Sequence, residues 1–136
     1  GDLALIDFLP GAADFRAGGW QGYEGVDIHA TIELENIRTI KELGIRLLQD
    51  ENAWIFMPLE VEFFSSKDGV TFSSVGNVKN DISYKQKGSL TKTFTLPTSG
   101  QAKYIRVIAR NRGVCPPDHK GAGGKSWIFA DEIFIR

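Results

Sequence analysis

Carboxylates lie near both ends of the chain, and together they have the chemistry of a calcium site. Asp7 and Asp14 belong to an opening segment that we interpret as a loop, and Asp131 and Glu132 lie in the last apolar segment. In a β-sandwich whose termini lie close together, these four groups would meet. Ca²⁺ binds six to eight oxygens from carboxylates, carbonyls and water. Acids that flank strands are more often solvated surface groups, so both interpretations stay open on spacing alone.

Aromatic residues in the predicted loops have the chemistry of a sugar site. Sugars stack their C–H faces on aromatic rings, and nearby polar side chains take their hydroxyl groups. The alternative is that Trp and Tyr close the ends of the hydrophobic core. Polar side chains near these rings include Gln21, Asp27 and Asn52. The candidate sugar-binding residues are Trp20, Tyr23, Trp54, His119 and Trp127.

Two segments are similar to part of a phosphate-binding or metal-binding motif, but neither contains the whole motif. The run 121–126 suggests a phosphate-binding loop, but His119 occupies the position of its first glycine and a strand pattern follows it. Cys115 and His119 suggest a metal pair, but Pro116 and Pro117 stand between them and two ligands do not make a zinc site. A packed loop cysteine is the simpler interpretation.

A catalytic constellation is also missing from the sequence. The histidines are His29, in a predicted strand, and His119, in a predicted loop, and neither has a recognisable nucleophile partner. The acids are scattered, and no pair can be assigned to one cleft. We therefore predict that this domain is not an enzyme.

The size and net charge of the chain indicate how many domains it forms and which kinds of partner it is suited to bind. The chain has 136 residues with 42% hydrophobic and 24% charged residues, which suits one domain with its own core. Its net charge of -1 gives no electrostatic reason to expect nucleic acid or an anionic membrane as a partner. We predict that residues 1–136 form a single module excised from a larger chain, because Gly1 stands where an initiator Met would.

Alternating apolar residues predict strands along the whole chain. The segment 27–34 alternates strictly, and similar patterns cover 59–63, 90–96, 104–110 and 127–135. Leu43, Ile45 and Leu47 suit either a strand or a short helix. The Asp68-Gly69 pair predicts a turn. We expect an all-β fold, a single antiparallel β-sandwich or jelly roll of about eight strands, with long loops at 8–26, 49–58, 76–88 and 111–126.

The order of these segments resembles the coagulation factor V/VIII type C, or discoidin-like, domain and the overlapping family 32 carbohydrate-binding modules. The resemblance rests on segments 5–7, 14–16, 20–27, 30–34, 61–69, 103–107 and 131–133. Segments 48–50, 54–58, 113–116 and 119–132 are similar to the C-terminal module of bacterial family 20 β-N-acetylhexosaminidases, particularly those of gut Bacteroidetes.

The resemblance implies a galactose-binding-like fold and a non-catalytic accessory module of a secreted bacterial glycosidase. Its partners would be a glycan ending in galactose or N-acetylhexosamine and the catalytic domain of the same chain, with no nucleic acid and no membrane. The module would be a monomer, located in the periplasm, at the cell surface or outside the cell. The alternative is a structural module that packs on the catalytic domain without a ligand of its own.

The resemblance also implies one structural Ca²⁺ between the opening loop and the final strand. Its side-chain ligands would be Asp7, Asp14 and Glu132, with main-chain oxygens near Pro10 and Asp131. The sequence departs from the family at Phe8, where a glycine is usual. The bulkier residue constrains the backbone of the loop that would hold the ion.

Overall fold

The structure is a computed structural model that describes residues 4–8 and 21–136, with the backbone alone for residues 4–8, 21 and 131. The strands are β1 (Ala4–Phe8), β2 (Gln21–Glu24), β3 (Ile28–Thr39), β4 (Glu42–Asp50), β5 (Glu60–Ser66), β6 (Ser73–Lys79), β7 (Ser89–Pro97), β8 (Gln101–Ala109) and β9 (Trp127–Ile135). One short 3-10 helix, η1 (Glu51–Ala53), follows β4. In the described part of the chain, no helix has the length and apolar character needed to cross a membrane.

Two antiparallel sheets face each other and confirm the predicted β-sandwich. The five-stranded sheet has the order β1-β3-β8-β5-β6, and the four-stranded sheet has the order β2-β9-β4-β7. The described residues form nine strands, whereas the sequence predicts about eight. Strand β2 lies inside the segment 8–26 that we predicted as a loop, because its four residues are too few for a clear alternation.

The core lies between the sheets and uses the alternation seen in the sequence. On β3, Ile28, Ala30 and Ile32 are buried, while His29 and Thr31 between them are only partly buried and point outwards. Leu43, Ile45 and Leu47 are also buried, and they belong to strand β4, which excludes the helical alternative. Each fully buried aliphatic side chain of this size contributes roughly 1.5–3 kcal/mol.

A buried glutamine at the end of β4 fixes two of the loops that follow. Gln49 is 1% exposed. Its Nε2 donates a hydrogen bond to the carbonyl oxygen of Ser83 (2.9 Å), and its Oε1 accepts one from the backbone N–H of Met57 (3.2 Å). A buried amide is stable only when its polar atoms have partners, and here those partners hold segments 55–58 and 80–88 against the same end of the sandwich.

The predicted turn after β5 is confirmed. Gly69 has a φ of +77°, the left-handed conformation that glycine adopts without a steric penalty. Asp68 Oδ1 accepts hydrogen bonds from the backbone N–H groups of Val70 (2.8 Å) and Thr71 (2.9 Å) and from the Ser66 hydroxyl (2.9 Å). Aspartate forms turns of this kind because its short side chain reaches its own backbone two residues on.

Candidate functional site

Three loops meet at the end of the sandwich where β4 finishes, and an open cleft of about 430 Å³ lies between them. The loops cover segments 50–58, 80–88 and 110–126, which agree with three of the predicted long loops except that β6 extends to Lys79. We call this feature the cleft. Its lining residues are Glu51, Asn52, Tyr84, Lys85, Lys87, Asp118, His119 and Lys120.

Glu51 supplies a carboxylate to the wall of the cleft. Residue Glu51 is 6% exposed, and its buried Oε1 has no hydrogen bond to the described part of the chain. Its Oε2 lies 3.3 Å from His119 Nε2, while Oε1 lies 3.6 Å from Lys87 Nζ, an ion pair too long for a hydrogen bond. The Lys87 side chain is 86% exposed and therefore free to move aside. An unsatisfied buried acceptor costs roughly 1–3 kcal/mol, so a ligand that donates to Oε1 would recover that cost.

His119 holds two of the loops together beside Glu51. Its Nδ1 accepts the backbone N–H of Gly121 at 2.9 Å, so this nitrogen carries no proton. The proton is therefore on Nε2, which donates to the carbonyl oxygen of Glu51 at 2.7 Å. The ring also packs edge-on against Trp54 and Phe56, with centroids 6.4 and 5.2 Å apart. The histidine side chain is 6% exposed, which fits a positioning role better than stacking on a sugar.

Among the described residues that line the cleft, Tyr84 is the one with a phenyl or indole type of ring. The guanidinium of Arg112 stacks against its ring, 5.0 Å from the centroid. Its hydroxyl donates to Asp118 Oδ2 at 3.3 Å, and Lys85 Nζ lies 3.4 Å from the same oxygen. Desolvation raises the pKa of Asp118, but the bonds from Tyr84 and Lys85 outweigh it and the pKa is lowered. Asp118 is thus a carboxylate at neutral pH, and Tyr84 is fixed by its neighbours.

Trp54 does not line the cleft but packs between two of the segments that form it. It is 37% exposed and adopts a φ of 62°, a left-handed conformation that is unusual for a bulky residue. Its indole lies on Gly121 and Gly124, where an added Cβ would come within 2.5 and 2.7 Å of the ring. Its carbonyl oxygen accepts the backbone N–H of Trp127 at 2.8 Å. Trp54 therefore connects segment 50–58 to segment 110–126 and to the start of β9.

The remaining candidate sugar-binding residues lie elsewhere. Tyr23 is 2% exposed within the core, and desolvation raises its pKa to about 12. Its predicted contact with a sugar is wrong because no face of the ring is open to solvent. Trp127 is half-buried on β9 beside Phe129, with centroids 5.6 Å apart, and does not line the cleft. Trp20 lies outside the described residues.

The predicted calcium ligands fall mostly outside what the structure describes. Asp14 and the side chains of Asp7 and Asp131 belong to that part of the chain. The backbone of Asp7 is in strand β1, opposite Thr31, and not in a loop as we predicted. Glu132 is exposed on β9. Among the described side chains, no three His, Cys, Asp or Glu residues come together as a metal site.

Cys115 is the packed loop cysteine that the sequence indicated. It is 2% exposed, and its backbone N–H donates to the carbonyl oxygen of Gly124 at 2.8 Å. Desolvation raises the pKa of its thiol, and the nearby Arg112 only partly opposes that effect. A neutral, buried thiol is inert.

Sequence reasoning missed most of the cleft. Glu51, Tyr84 and Asp118 have no motif, and the three lysines are ordinary surface residues in the sequence. The available signal was their place in three long loops, because binding residues are concentrated on loops held by a rigid scaffold. Tyr84 in particular is an aromatic residue within the predicted loop 76–88.

The sequence profile of the F5/8 type C domain matches residues 3–128. The chain belongs to this family. Domains of the carbohydrate-binding type within it are non-catalytic, as we expected for this one. A search of curated protein sequences gave no match for this F5/8 type C domain.

Two solved structures share the fold of this F5/8 type C domain at low sequence identity, and a third matches with a TM-score under 0.5. CBM32-3 from a family 31 glycoside hydrolase of Clostridium perfringens is 15% identical, with a TM-score of 0.58 over 97% of this chain and 93% of that one. A GH31 CBM32-2 module bound to GalNAc is 11% identical, with a TM-score of 0.61 over 99% and 97%. The C-terminal domain of a Bacteroides fragilis chitobiase is 19% identical, with a TM-score of 0.42 over 82% and 66%.

Proposed function

We propose that this F5/8 type C domain is a carbohydrate-binding module that holds a terminal galactose or N-acetylhexosamine unit in the cleft. The observation that carries the proposal is the buried Glu51 Oε1, which lies in the wall of an open cleft and has no hydrogen bond to any residue that the structure describes. A sugar hydroxyl is a donor of suitable size, and a hydrogen bond to a carboxylate is worth roughly 1.5–3 kcal/mol. The exposed Lys87 side chain, which pairs with Oε1, would move aside to admit it.

Tyr84 supplies the apolar part of the proposed site. Most sugar hydroxyl groups exchange a bond to water for a bond to protein and gain little net free energy. Contact with the half-buried Tyr84 ring therefore contributes much of the affinity. We expect a dissociation constant on the order of 0.1–1 mM, which corresponds to roughly -4 to -5.5 kcal/mol.

An accessory role beside a glycosidase fits an affinity this weak. A module on the same chain as a catalytic domain raises the effective concentration of substrate without tight binding. The similar CBM32-3 domain comes from a glycoside hydrolase, and the similar CBM32-2 domain binds GalNAc. We accordingly place this domain in a secreted bacterial glycosidase, of which a β-N-acetylhexosaminidase is the preferred candidate, and expect the isolated domain to be monomeric.

A structural Ca²⁺ belongs to the same proposal. Asp7, Asp14 and Glu132 would supply carboxylates, with main-chain oxygens near Pro10 and Asp131. The exposed position of Glu132 on β9 leaves its carboxylate available, and hard oxygen ligands suit this ion. Such an ion would stabilise the opening segment against the last strand.

Titration of the isolated domain with galactose, N-acetylgalactosamine and N-acetylglucosamine tests the proposal. In heteronuclear NMR, backbone signals of segments 50–54, 83–88 and 118–121 should shift, with saturation at millimolar sugar. Glu51→Gln should weaken binding at least about tenfold, because it replaces the charged acceptor. The control Glu35→Gln, at an exposed position on β3, should leave binding unchanged. If none of the three sugars shifts these signals at tens of millimolar, the proposed binding of a terminal galactose or N-acetylhexosamine is wrong.

A second candidate function is that of a structural module packed on another domain. Val26, Leu59 and Val114 are 50%, 54% and 51% exposed. Val26 and Leu59 hydrogen-bond to Asn111 and Arg110, close to Val114 in sequence. Apolar side chains exposed near one another can mark an interface. This function predicts that the isolated domain binds no sugar, and that replacing these residues with serine weakens its association with the rest of its parent chain.

A further inference from the structure

Positive charge is concentrated around the cleft although the whole chain has a net charge of -1. Lys85, Lys87 and Lys120 line it, and Arg112 borders it by stacking on Tyr84. The acids in the same wall are Glu51 and Asp118, and His119 is neutral in the arrangement described above. Among the residues that the structure describes, four cations against two anions leave the cleft with a local excess of two positive charges.

The pairing within the cleft shows which cations are uncompensated. Lys85 lies 3.4 Å from Asp118, and Lys87 lies 3.6 Å from Glu51. In each of these ion pairs the positive and the negative charge compensate each other. Lys120 Nζ instead meets the neutral side-chain oxygen of Asn52 at 3.1 Å. The contacts of Arg112 are with the rings of Tyr84 and Phe56. Neither Lys120 nor Arg112 forms an ion pair with a carboxylate among the described residues.

We infer that the natural ligand of the cleft is an anionic saccharide, one that carries a carboxylate or a sulfate ester near Lys120. This inference rests on the proposed function and concerns the chemical class of the same ligand. A neutral hydroxyl of that sugar donates to Glu51 Oε1, and its anionic group binds Lys120, while Arg112 adds positive charge at the border of the cleft. Both cations can donate hydrogen bonds to the hydroxyl groups of a neutral sugar, but only an anionic ligand also compensates their charge.

Matched pairs of sugars test the charge without changing the ring. Galactose and galacturonic acid differ only at C6, where the acid carries a carboxylate; N-acetylgalactosamine and its 6-sulfate differ only by the sulfate ester. Dissociation constants are measured by NMR titration in 20 mM and 300 mM NaCl. An exposed ion pair is worth up to roughly fivefold in affinity, so these two cations should make the anionic member roughly three- to tenfold tighter at low salt. Salt at 300 mM screens exposed charges and should bring the ratio towards one.

Variants of single lysines test whether Lys120 is responsible for the preference for the anionic sugar. Lys120→Gln should reduce the ratio of the two dissociation constants towards one at low salt. The control Lys41→Gln should leave the ratio unchanged, because Lys41 is exposed at the opposite end of β4 from Glu51. Thermal melts of both variants establish that each is folded.

The outcomes separate this inference from the proposed function. If the neutral sugars bind at the cleft as well as or better than their anionic partners, the anionic ligand is wrong and the proposed function stands. An anionic preference that is unaffected by Lys120→Gln also overturns the inference, because the charge is then recognised elsewhere. If neither member of either pair binds, the proposed sugar site itself fails.

Discussion

His119 Nε2 donates a hydrogen bond of 2.7 Å to the carbonyl oxygen of Glu51, across a sequence separation of 68 residues. The other ring nitrogen of His119 accepts a hydrogen bond from the backbone N–H of Gly121. One buried imidazole therefore forms hydrogen bonds to the backbone of two loops. Glu51 is presented to the cleft because its main chain is held in this way. The histidine that sequence analysis assigned to sugar contact thus positions the carboxylate that we propose makes that contact.

Replacing His119 should destabilise the domain. His119→Ala leaves the Gly121 N–H without its partner and removes the shorter of the two hydrogen bonds to the Glu51 carbonyl, which keeps the Trp54 N–H at 3.2 Å. The change also opens a cavity beside Phe56, so we expect a loss of about 2–4 kcal/mol. The other histidine offers the control: His29 lies half-buried on β3, and His29→Ala should cost clearly less. Urea unfolding gives both values. Equal losses for the two variants would contradict the positioning role of His119.

Tyr84 should contribute to binding through its ring and not through its hydroxyl. The hydroxyl bond to Asp118 is long, at 3.3 Å, and Lys85 already pairs with that carboxylate. Tyr84→Phe should therefore keep the sugar affinity within about twofold, whereas Tyr84→Ala should weaken it at least about fivefold, because ring contact supplies roughly 1 kcal/mol or more. Calorimetric titration with the sugar that the wild-type domain binds provides the comparison. If the Phe variant loses as much as the Ala variant, the hydroxyl group is the recognition element.

The sequence predicts the scaffold much better than the cleft. Alternation on β3 identifies Ile28 and Ile32 as core residues, because the period of two in a strand imposes that pattern whatever the neighbouring elements are. The turn at Asp68-Gly69 is also predictable, because the two residues themselves favour a turn whatever surrounds them. Residues in a loop obey no such period. Glu51, Tyr84 and Asp118 come together only because β9, β4 and β7 are neighbours in one sheet and place the ends of three loops side by side.

The candidate sugar-binding aromatic residues also show that residue type alone does not predict the position of a side chain in the fold. Tyr23 and Trp54 both suggest sugar contact by residue type, yet one fills the core and the other packs on two glycines. An apolar ring that is needed for packing has the same identity as one that is needed for stacking on a ligand. The decision between them depends on which elements lie across from the ring, and single-sequence patterns do not contain that information.

The contact between Trp54 and Gly121 should be revealed by a double-mutant cycle. An added methyl group at Gly121 would lie 2.5 Å from Trp54 Cε2, so Gly121→Ala should cost about 1–3 kcal/mol. In a Trp54→Ala background the same change should cost much less, because the obstructing ring is gone. Gly123→Ala is the control: it meets no atom within 4 Å but has a φ of +83°, so its cost should be equal in both backgrounds. Additive costs at Gly121 would contradict the packing described.

Asp68 should give the domain a contribution to stability that disappears in acid. The backbone N–H groups of Val70 and Thr71, followed by the Ser66 hydroxyl, lower its pKa to about 2. The folded pKa lies below the unfolded value of about 3.9, so the contribution is fully present above about pH 4 and is lost as the pH falls towards 2. The difference in melting temperature between wild type and Asp68→Ala should therefore shrink across this range. A carboxyl titration midpoint near 4 for Asp68, measured by NMR, would contradict this assignment.

Calcium should raise the melting temperature of the domain if the proposed ion is present. An ion that binds only the folded state stabilises it by mass action; for dissociation constants of about 10⁻⁴–10⁻³ M, 10 mM Ca²⁺ would add about 1.4–2.7 kcal/mol. A sample treated with chelator and shown to be metal-free should melt lowest, and added Ca²⁺ should raise its melting temperature by several degrees. Glu132→Gln and Asp14→Asn should each reduce that rise, since they remove a charged ligand, while Glu35→Gln should retain it. An unchanged melting temperature on addition of Ca²⁺ to the metal-free sample would exclude the site, and an equal rise with Mg²⁺ would point to a non-specific effect of divalent ions.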